Sequence, residues 1–266
     1  MNDQAAGREV VETIHEPSLD DPESRALADR TMIVAGGTGN VGRVLVGQML
    51  DLGATVVVPS RSKEKLEGLR GQVGGAGERL MTVEGDIGDE EEAPGLRDSI
   101  IGRVGPIDGA VASLGHFVPA PSVLEAPRAD VQKALDGYLL AHLGVARTLI
   151  PALRERGGSY TFINGPLAFA PLHPGTGLVS IVTAAQAMLA QVTMAEMEGT
   201  PVRVNEVVVH TPFGWSDKDE QRGVVRQHEV GRYVALLASP LGAEIRNRTI
   251  HLNSREVLGG LFPATD

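Results

Sequence analysis

The sequence predicts an α/β fold, a single domain doubly wound around a parallel sheet of about seven strands with helices on both faces. From residue 31 onward, short apolar and β-branched runs alternate with helical stretches of ten or more residues. That alternation belongs to strands buried on both faces and joined by crossover helices. The 33 glycines gather at the junctions between these runs and do not recur at a fixed period, so they read as turns of many short connections. Right-handed crossovers then give the doubly wound arrangement.

The elements follow in order. A buried strand over 31–35 leads through a glycine turn into an amphipathic helix over 41–52. A strand at 55–58, a short helix near 63–69 and a glycine-rich loop from Gly71 to Gly77 come next. A strand at 80–84, a helix over about 90–103 and a strand at 107–111 complete the first half. Long helices are expected at about 129–156 and 176–198, separated by a strand at 159–163. The remaining elements are a strand at 202–209, a helix at 229–239 and a short strand at 249–252. Residues 1–30 are acidic, contain Pro17 and Pro22 and show no sustained periodicity. They predict a flexible extension outside a domain spanning 31–266.

Composition narrows the function classes. With 24 Lys plus Arg against 34 Asp plus Glu, the formal charge is −10, which argues against nucleic acid as a partner because phosphate contacts need clustered basic side chains. There is no cysteine, so disulfides and thiolate metal sites are excluded. The seven histidines lack the spacing of a metal site, and the acidic cluster at 89–92 reads as a solvated helix start. No apolar run is expected to reach the ~20 residues of a membrane span. A soluble cytoplasmic protein is the simplest reading. Aromatic residues make up only 3%, so the core must be Val, Leu, Ile and Ala.

The first chemical signal is the turn after the first strand, where Gly36, Thr38, Gly39, Asn40, Val41 and Gly42 open a helix. Glycines there permit a tight turn and close approach of a pyrophosphate, and the helix N-terminus offers free N–H groups with partial positive charge. This is the setting of a dinucleotide site in a Rossmann-type fold; a purely structural turn is the alternative. The second strand ends in Ser60 and Arg61, where specificity for NAD usually places a carboxylate on the ribose hydroxyls. A serine and an arginine suit a 2′-phosphate, so the cofactor expected is NADP(H). Asp86 and Ile87 follow the third strand, where a carboxylate can accept the adenine amino hydrogens or merely cap a helix.

With those features in line, residues 31 to 255 resemble the short-chain dehydrogenase/reductase family. Gly36, Gly39 and Gly42 match its GxxGxxG turn; "DGAVASLGHF" (108–117) stands where the family has its NNAG strand end and keeps Gly115. "VRVNEVVVHTPFG" (202–214) is similar to the sixth strand and the loop over the nicotinamide, which puts Thr211 near the nicotinamide amide. "RTIHLNS" (248–254) resembles the final strand.

The catalytic half departs from that pattern. The family's acid is a Tyr in a YxxxK arrangement, the Lys lowering the phenol pKa, with a Ser about thirteen residues upstream. Counting along "GSYTFING" puts Gly165, preceded by Asn164, at the Ser position, Leu178 at the Tyr position and Val182 at the Lys position. No Tyr or Lys occurs from 161 to 200. The family's helical Asn aligns with Tyr138. Side chains left to face the cleft are His116, Tyr138, Asn164, His173 and the His210-Thr211 pair, with His142 one helical turn beyond Tyr138. Each has a plainer role open to it, as a loop histidine, a packing ring or a strand-end cap.

Apolar stretches at 167–172 and 212–215 suggest a hydrophobic or aromatic small-molecule substrate. The helix over 182–197, rich in Ala, Met, Val and Gln all round, suggests a homo-oligomer, dimer or tetramer. Three functions stay open: an NADP(H)-dependent oxidoreductase with a displaced or substrate-supplied acid, a dinucleotide-binding pseudoenzyme, and a non-redox cyclase or isomerase.

Overall fold

In the computed structural model, residues 25–170, 175–210 and 225–254 are described. The strands are β1 (Thr31–Ala35), β2 (Thr55–Ser60), β3 (Leu80–Glu84), β4 (Gly109–Ala112), β5 (Ser159–Asn164), β6 (Arg203–Val209) and β7 (Arg248–Leu252). The helices are α1 (Asn40–Asp51), α2 (Lys63–Val73), α3 (Ala93–Val104), α4 (Arg128–Leu135), α5 (Ala141–Leu153), α6 (Gly177–Glu196) and α7 (Gln227–Ala238). The seven strands form one sheet in the order β3-β2-β1-β4-β5-β6-β7, and every pair is parallel. Chain direction across the sheet reverses between β1 and β4, so their carboxyl ends diverge into a crevice.

The alternation of strand side chains builds two cores. Met32 and Val34 of β1, with Val56 and Val58 of β2, join Leu45, Met49, Val234 and Leu237 on the α1–α7 face. Ile33 and Ala35, with Val57, join Ile100, Val145, Leu149 and Met194 on the face covered by α3, α5 and α6. Adjacent residues thus serve opposite cores, as the period of two requires.

Four differences from the sequence expectations have physical causes. The packed body begins before Thr31: Leu27 is fully buried in the α1 core and its N–H donates to the Leu52 carbonyl (3.0 Å). The glycines after α2 close into a 3-10 turn, Gly74–Arg79. Helix α3 starts at Ala93, because Asp89 turns its carboxylate onto the N–H groups of Glu91 and Glu92 (both 2.9 Å) and holds a turn there. The long helix expected over 129–156 is split by a π-turn, Asp136–Leu140, between α4 and α5.

A fifth difference concerns apolar length. Helix α6 carries no charge from Gly177 to Ala195, and by length and composition it could cross a membrane. In this fold half of that stretch is buried against the sheet, and its polar side chains are used inside the protein. Gln186 Nε2 donates to the Ile163 carbonyl (2.8 Å), and Thr193 Oγ1 to the Leu189 carbonyl (2.8 Å).

Candidate active site

At the β1–β4 crevice a cleft of about 440 Å³ runs from the N-terminus of α1, through Ser113–Phe117 after β4, to Asn164–Leu167 after β5 and the inner face of α6. Its α1 end is shaped by glycine. Gly36 has φ +81°, and a Cβ there would fall on the Ser113 carbonyl; a Cβ at Gly42 would fall on the Gly36 carbonyl oxygen. Helix α1 starts from Gly39 with no side-chain cap and no acidic residue in its first turn. Its free N–H groups and positive dipole end therefore point into the cleft beside Asn40 and Val41, as a phosphate-binding turn needs.

At the ends of β2 and β3 the expected adenosine-side residues lie together. Arg61 Nη1 stands 3.5 Å from Asp86 Oδ2, and Arg61 is 83% exposed. Such a pair holds the guanidinium weakly and leaves it available to an anion. Asp86 Oδ1 accepts the Gly88 N–H (2.9 Å), so the plainer capping role of this carboxylate is realised as well. Ser60 Oγ accepts the Ser62 N–H (3.2 Å), and Ile87 is buried in the core.

On the opposite side Gly115 (φ +129°) brings its backbone against the Tyr138 ring. Tyr138 sits in the middle of the π-turn. Its ring stacks with exposed His116 at 6.3 Å and packs on a small apolar cluster of Val118, Ala120, Ala134, Leu178 and Val182. Burial raises its phenol pKa. His142 does not reach the cleft. It is fully buried, its Nδ1 bonded to the Tyr138 carbonyl (2.8 Å) and its ring stacked with Phe162. Burial pushes it down to about 4 from 6.5, against the partial support of the Tyr138 and Ala112 carbonyls.

The register of α6 corrects the sequence count by one residue. Val179, Thr183 and Gln186 face the cleft, while Leu178 and Val182 are turned into the apolar cluster. Pro166, about thirteen residues before Val179, lines the cleft in turn. The consequence for chemistry is unchanged, because valine and threonine supply neither a phenol nor an ammonium. Asn164 lines the floor, but its amide is engaged throughout. Nδ2 donates to the Thr183 carbonyl (3.1 Å) and to Glu206 Oε1 (2.9 Å), and Oδ1 accepts the Gly165 N–H (2.9 Å). It therefore ties β5, β6 and α6 together beneath the cleft, with both N–H groups of the amide used inside the protein.

Glu206 is the residue that sequence reading passed over. It is fully buried on β6, and its other oxygen accepts the Thr249 hydroxyl (2.9 Å). Burial raises its pKa, and the two hydrogen bonds oppose the shift. The available signal was a lone charge, beside Asn205, inside the valine-rich strand run Val204 to Val209. His210 pairs with His251 of β7 (Nε2–Nδ1 3.2 Å), outside the cleft lining. His173 and Thr211 lie outside the described residues, as does the apolar loop at 212–215.

A family model described as short chain dehydrogenase matches residues 30–217. The chain belongs to that family. A 1-deoxy-11-beta-hydroxypentalenate dehydrogenase of Streptomyces avermitilis is 26% identical over 181 residues, covering 67% of each chain. An uncharacterised oxidoreductase of Mycobacterium tuberculosis is 25% identical over 261 residues, 90% of this chain and 95% of its own. The crystal structure of a short chain dehydrogenase from Burkholderia cenocepacia J2315 in complex with NADP superposes with a TM-score of 0.73 at 20% identity, covering 86% of this chain and 98% of that one. In this short chain dehydrogenase the α6 wall of the cleft is formed by Val179, Thr183 and Gln186.

Proposed function

We propose that this short chain dehydrogenase is an NADP(H)-dependent oxidoreductase that acts on a hydrophobic or aromatic carbonyl-type substrate through a non-standard active site. One observation carries the reading: a single cleft joins the uncapped N-terminus of α1 to the Tyr138 and α6 walls. The glycine turn would hold the pyrophosphate, and Ser60 with Arg61 the 2′-phosphate. A bound nicotinamide supplies a hydride donor or acceptor. This chain's own residues then orient the substrate between apolar surfaces, Leu114, Phe117 and Leu167 among them, and exclude water. Tyr138 is the phenol on the cleft and the candidate to give a proton to a carbonyl oxygen. The same reading makes the protein cytoplasmic and a dimer or tetramer, with small molecules as its partners and neither nucleic acid nor membrane.

Cofactor binding tests it directly. NADPH should bind more tightly than NADH in calorimetric titration, and Arg61→Ala should weaken NADPH by about tenfold, the worth of one charge-assisted phosphate contact. NADH should be almost unaffected. Equal affinity for the two cofactors in the unmutated protein would remove the NADP(H) assignment.

A second reading, a dinucleotide-binding pseudoenzyme, is favoured by the way Tyr138 packs on Leu178 and Val182, as a ring filling space beside residues that carry no chemistry. NADPH oxidation with a panel of carbonyl compounds separates the two.

A further inference from the structure

Resting on the NADP(H)-dependent oxidoreductase reading above, but replacing its carbonyl substrate and its Tyr138 acid, we propose that the substrate is an iminium, a cationic carbon–nitrogen double bond on an apolar frame, and not a neutral ketone. Ketone reduction leaves an alkoxide that must take a proton as the hydride arrives. On the α6 wall the side chains at hand are Val179, Thr183 and Gln186; the Thr183 hydroxyl already donates to the Val179 carbonyl (2.7 Å) and Gln186 Nε2 to the Ile163 carbonyl (2.8 Å). Among the described residues, none that lines the cleft is Lys, Arg, Asp or Glu, and burial raises the pKa of the Tyr138 phenol, which makes it a poor proton donor. An iminium needs no proton donor. Its carbon accepts a hydride with the electron pair from the reduced nicotinamide, and the π electrons move onto nitrogen. The products are a neutral amine and the oxidised nicotinamide, so charge and electrons balance with no proton transferred.

The protein also holds something that favours such a cation. Glu206 lies directly behind the cleft floor, one side chain away through Asn164. Its two oxygens lie against Asn164 Nδ2 and Thr249 Oγ1 (each 2.9 Å), contacts that support the ionised form against the burial that raises its pKa. No ion pair reaches it among the described residues. A cation bound on the cleft floor would supply the counter-ion that Glu206 lacks, so cation binding and ionisation of Glu206 would favour one another. The absence of a lysine at Thr183 removes the charge that would repel that cation. The His116 and Tyr138 rings also line the cleft, and aromatic rings attract a weakly hydrated cation such as an alkylated iminium.

The test compares two compounds with the same fused-ring frame, N-methyl-3,4-dihydroisoquinolinium and 1-tetralone, using the full chain with NADPH and subtracting the enzyme-free reaction. The iminium should be reduced with kcat/KM at least ~100-fold above the ketone, the size of a missing acid. Glu206→Gln keeps the shape and removes the charge. It should raise KM for the iminium about tenfold with kcat little changed, and weaken by the same factor the binding of the non-reducible cation N,N-dimethyltetrahydroisoquinolinium. NADPH binding should stay as it was. Comparable or faster turnover of 1-tetralone overturns the iminium assignment and leaves the oxidoreductase reading standing. Turnover of neither compound by a protein that binds NADPH overturns both. Should Glu206→Gln not fold, the comparison of the two compounds on the unmutated protein decides alone.

Discussion

Tyr160 shows how much a single buried atom can matter. It is fully buried on β5 with its ring edge-on to Phe162 (4.8 Å), and its hydroxyl has no hydrogen-bond partner among the described residues. An unsatisfied buried hydroxyl costs about 1–3 kcal/mol, while the ring itself is worth keeping. Tyr160→Phe should therefore raise the unfolding free energy by about 1 kcal/mol in urea titration. A loss of that size would mean that the hydroxyl has a partner. His142 makes the matching case for a titrating group. Its pKa in the fold, about 4, lies below the ordinary 6.5, so the neutral ring is the folded form. The stability it contributes is complete above pH 6.5 and is lost as pH falls from 6.5 towards 4, in total about 3 kcal/mol. His142→Phe should flatten unfolding free energy across that window. It should also cost about 1 kcal/mol at pH 7 through the lost bond to the Tyr138 carbonyl. Some slope will persist, because burial depresses His210 and His251 in the same direction. A variant with the full slope of the unmutated protein would place the acid sensitivity elsewhere.

At the scale of elements, Tyr138 and α6 show what a sequence pattern carries and what it does not. All seven strands were legible, because β-branched runs between glycine turns leave little else for the chain to do. The turn between β1 and α1 was legible as well, because at Gly36 and Gly42 a side chain would collide with backbone carbonyls and only glycine fits. The face of α6 was not. Leu178, Val179 and Val182 are all apolar, so nothing in their chemistry says which points at the cleft, and the count fell one residue short. The π-turn left no trace either, since one extra residue per turn does not alter helix composition. Yet that turn sets Tyr138 against Gly115. Two roles for Tyr138 now separate cleanly. As an acid for a carbonyl, Tyr138→Phe would lose ~10²-fold or more in turnover. With an iminium substrate and a ring that fills space, the variant should keep turnover within about threefold, because the ring is retained and no proton is needed. Steady-state rates with N-methyl-3,4-dihydroisoquinolinium decide between them, and a hundredfold loss would make the phenol the acid.

Across the whole molecule, the outer side of α6 is the surface that the fold leaves unexplained. Its inner side meets the sheet and the cleft, but Ile181, Met188 and Val192 are 53%, 57% and 47% exposed. Spaced seven and then four residues apart, they form one stripe along a helix whose Gly177–Ala195 stretch is uncharged. Leu140, after Tyr138 in the π-turn, is 47% exposed as well. Exposed apolar residues scattered singly need no explanation, whereas a stripe of them marks a contact surface. A two-fold assembly would bring this stripe against its own copy and remove it from water on both sides at once. The expected mass by light scattering at micromolar concentration is therefore that of a dimer or tetramer. Met188→Glu places a charge at the middle of the stripe and should shift the protein towards monomer, because burying an unpaired carboxylate costs several kcal/mol. Residue 188 lies outside the cleft lining, so NADPH affinity should hold in the monomer. A sharp monomer mass for the unmutated chain would leave the stripe without a partner and count against self-association.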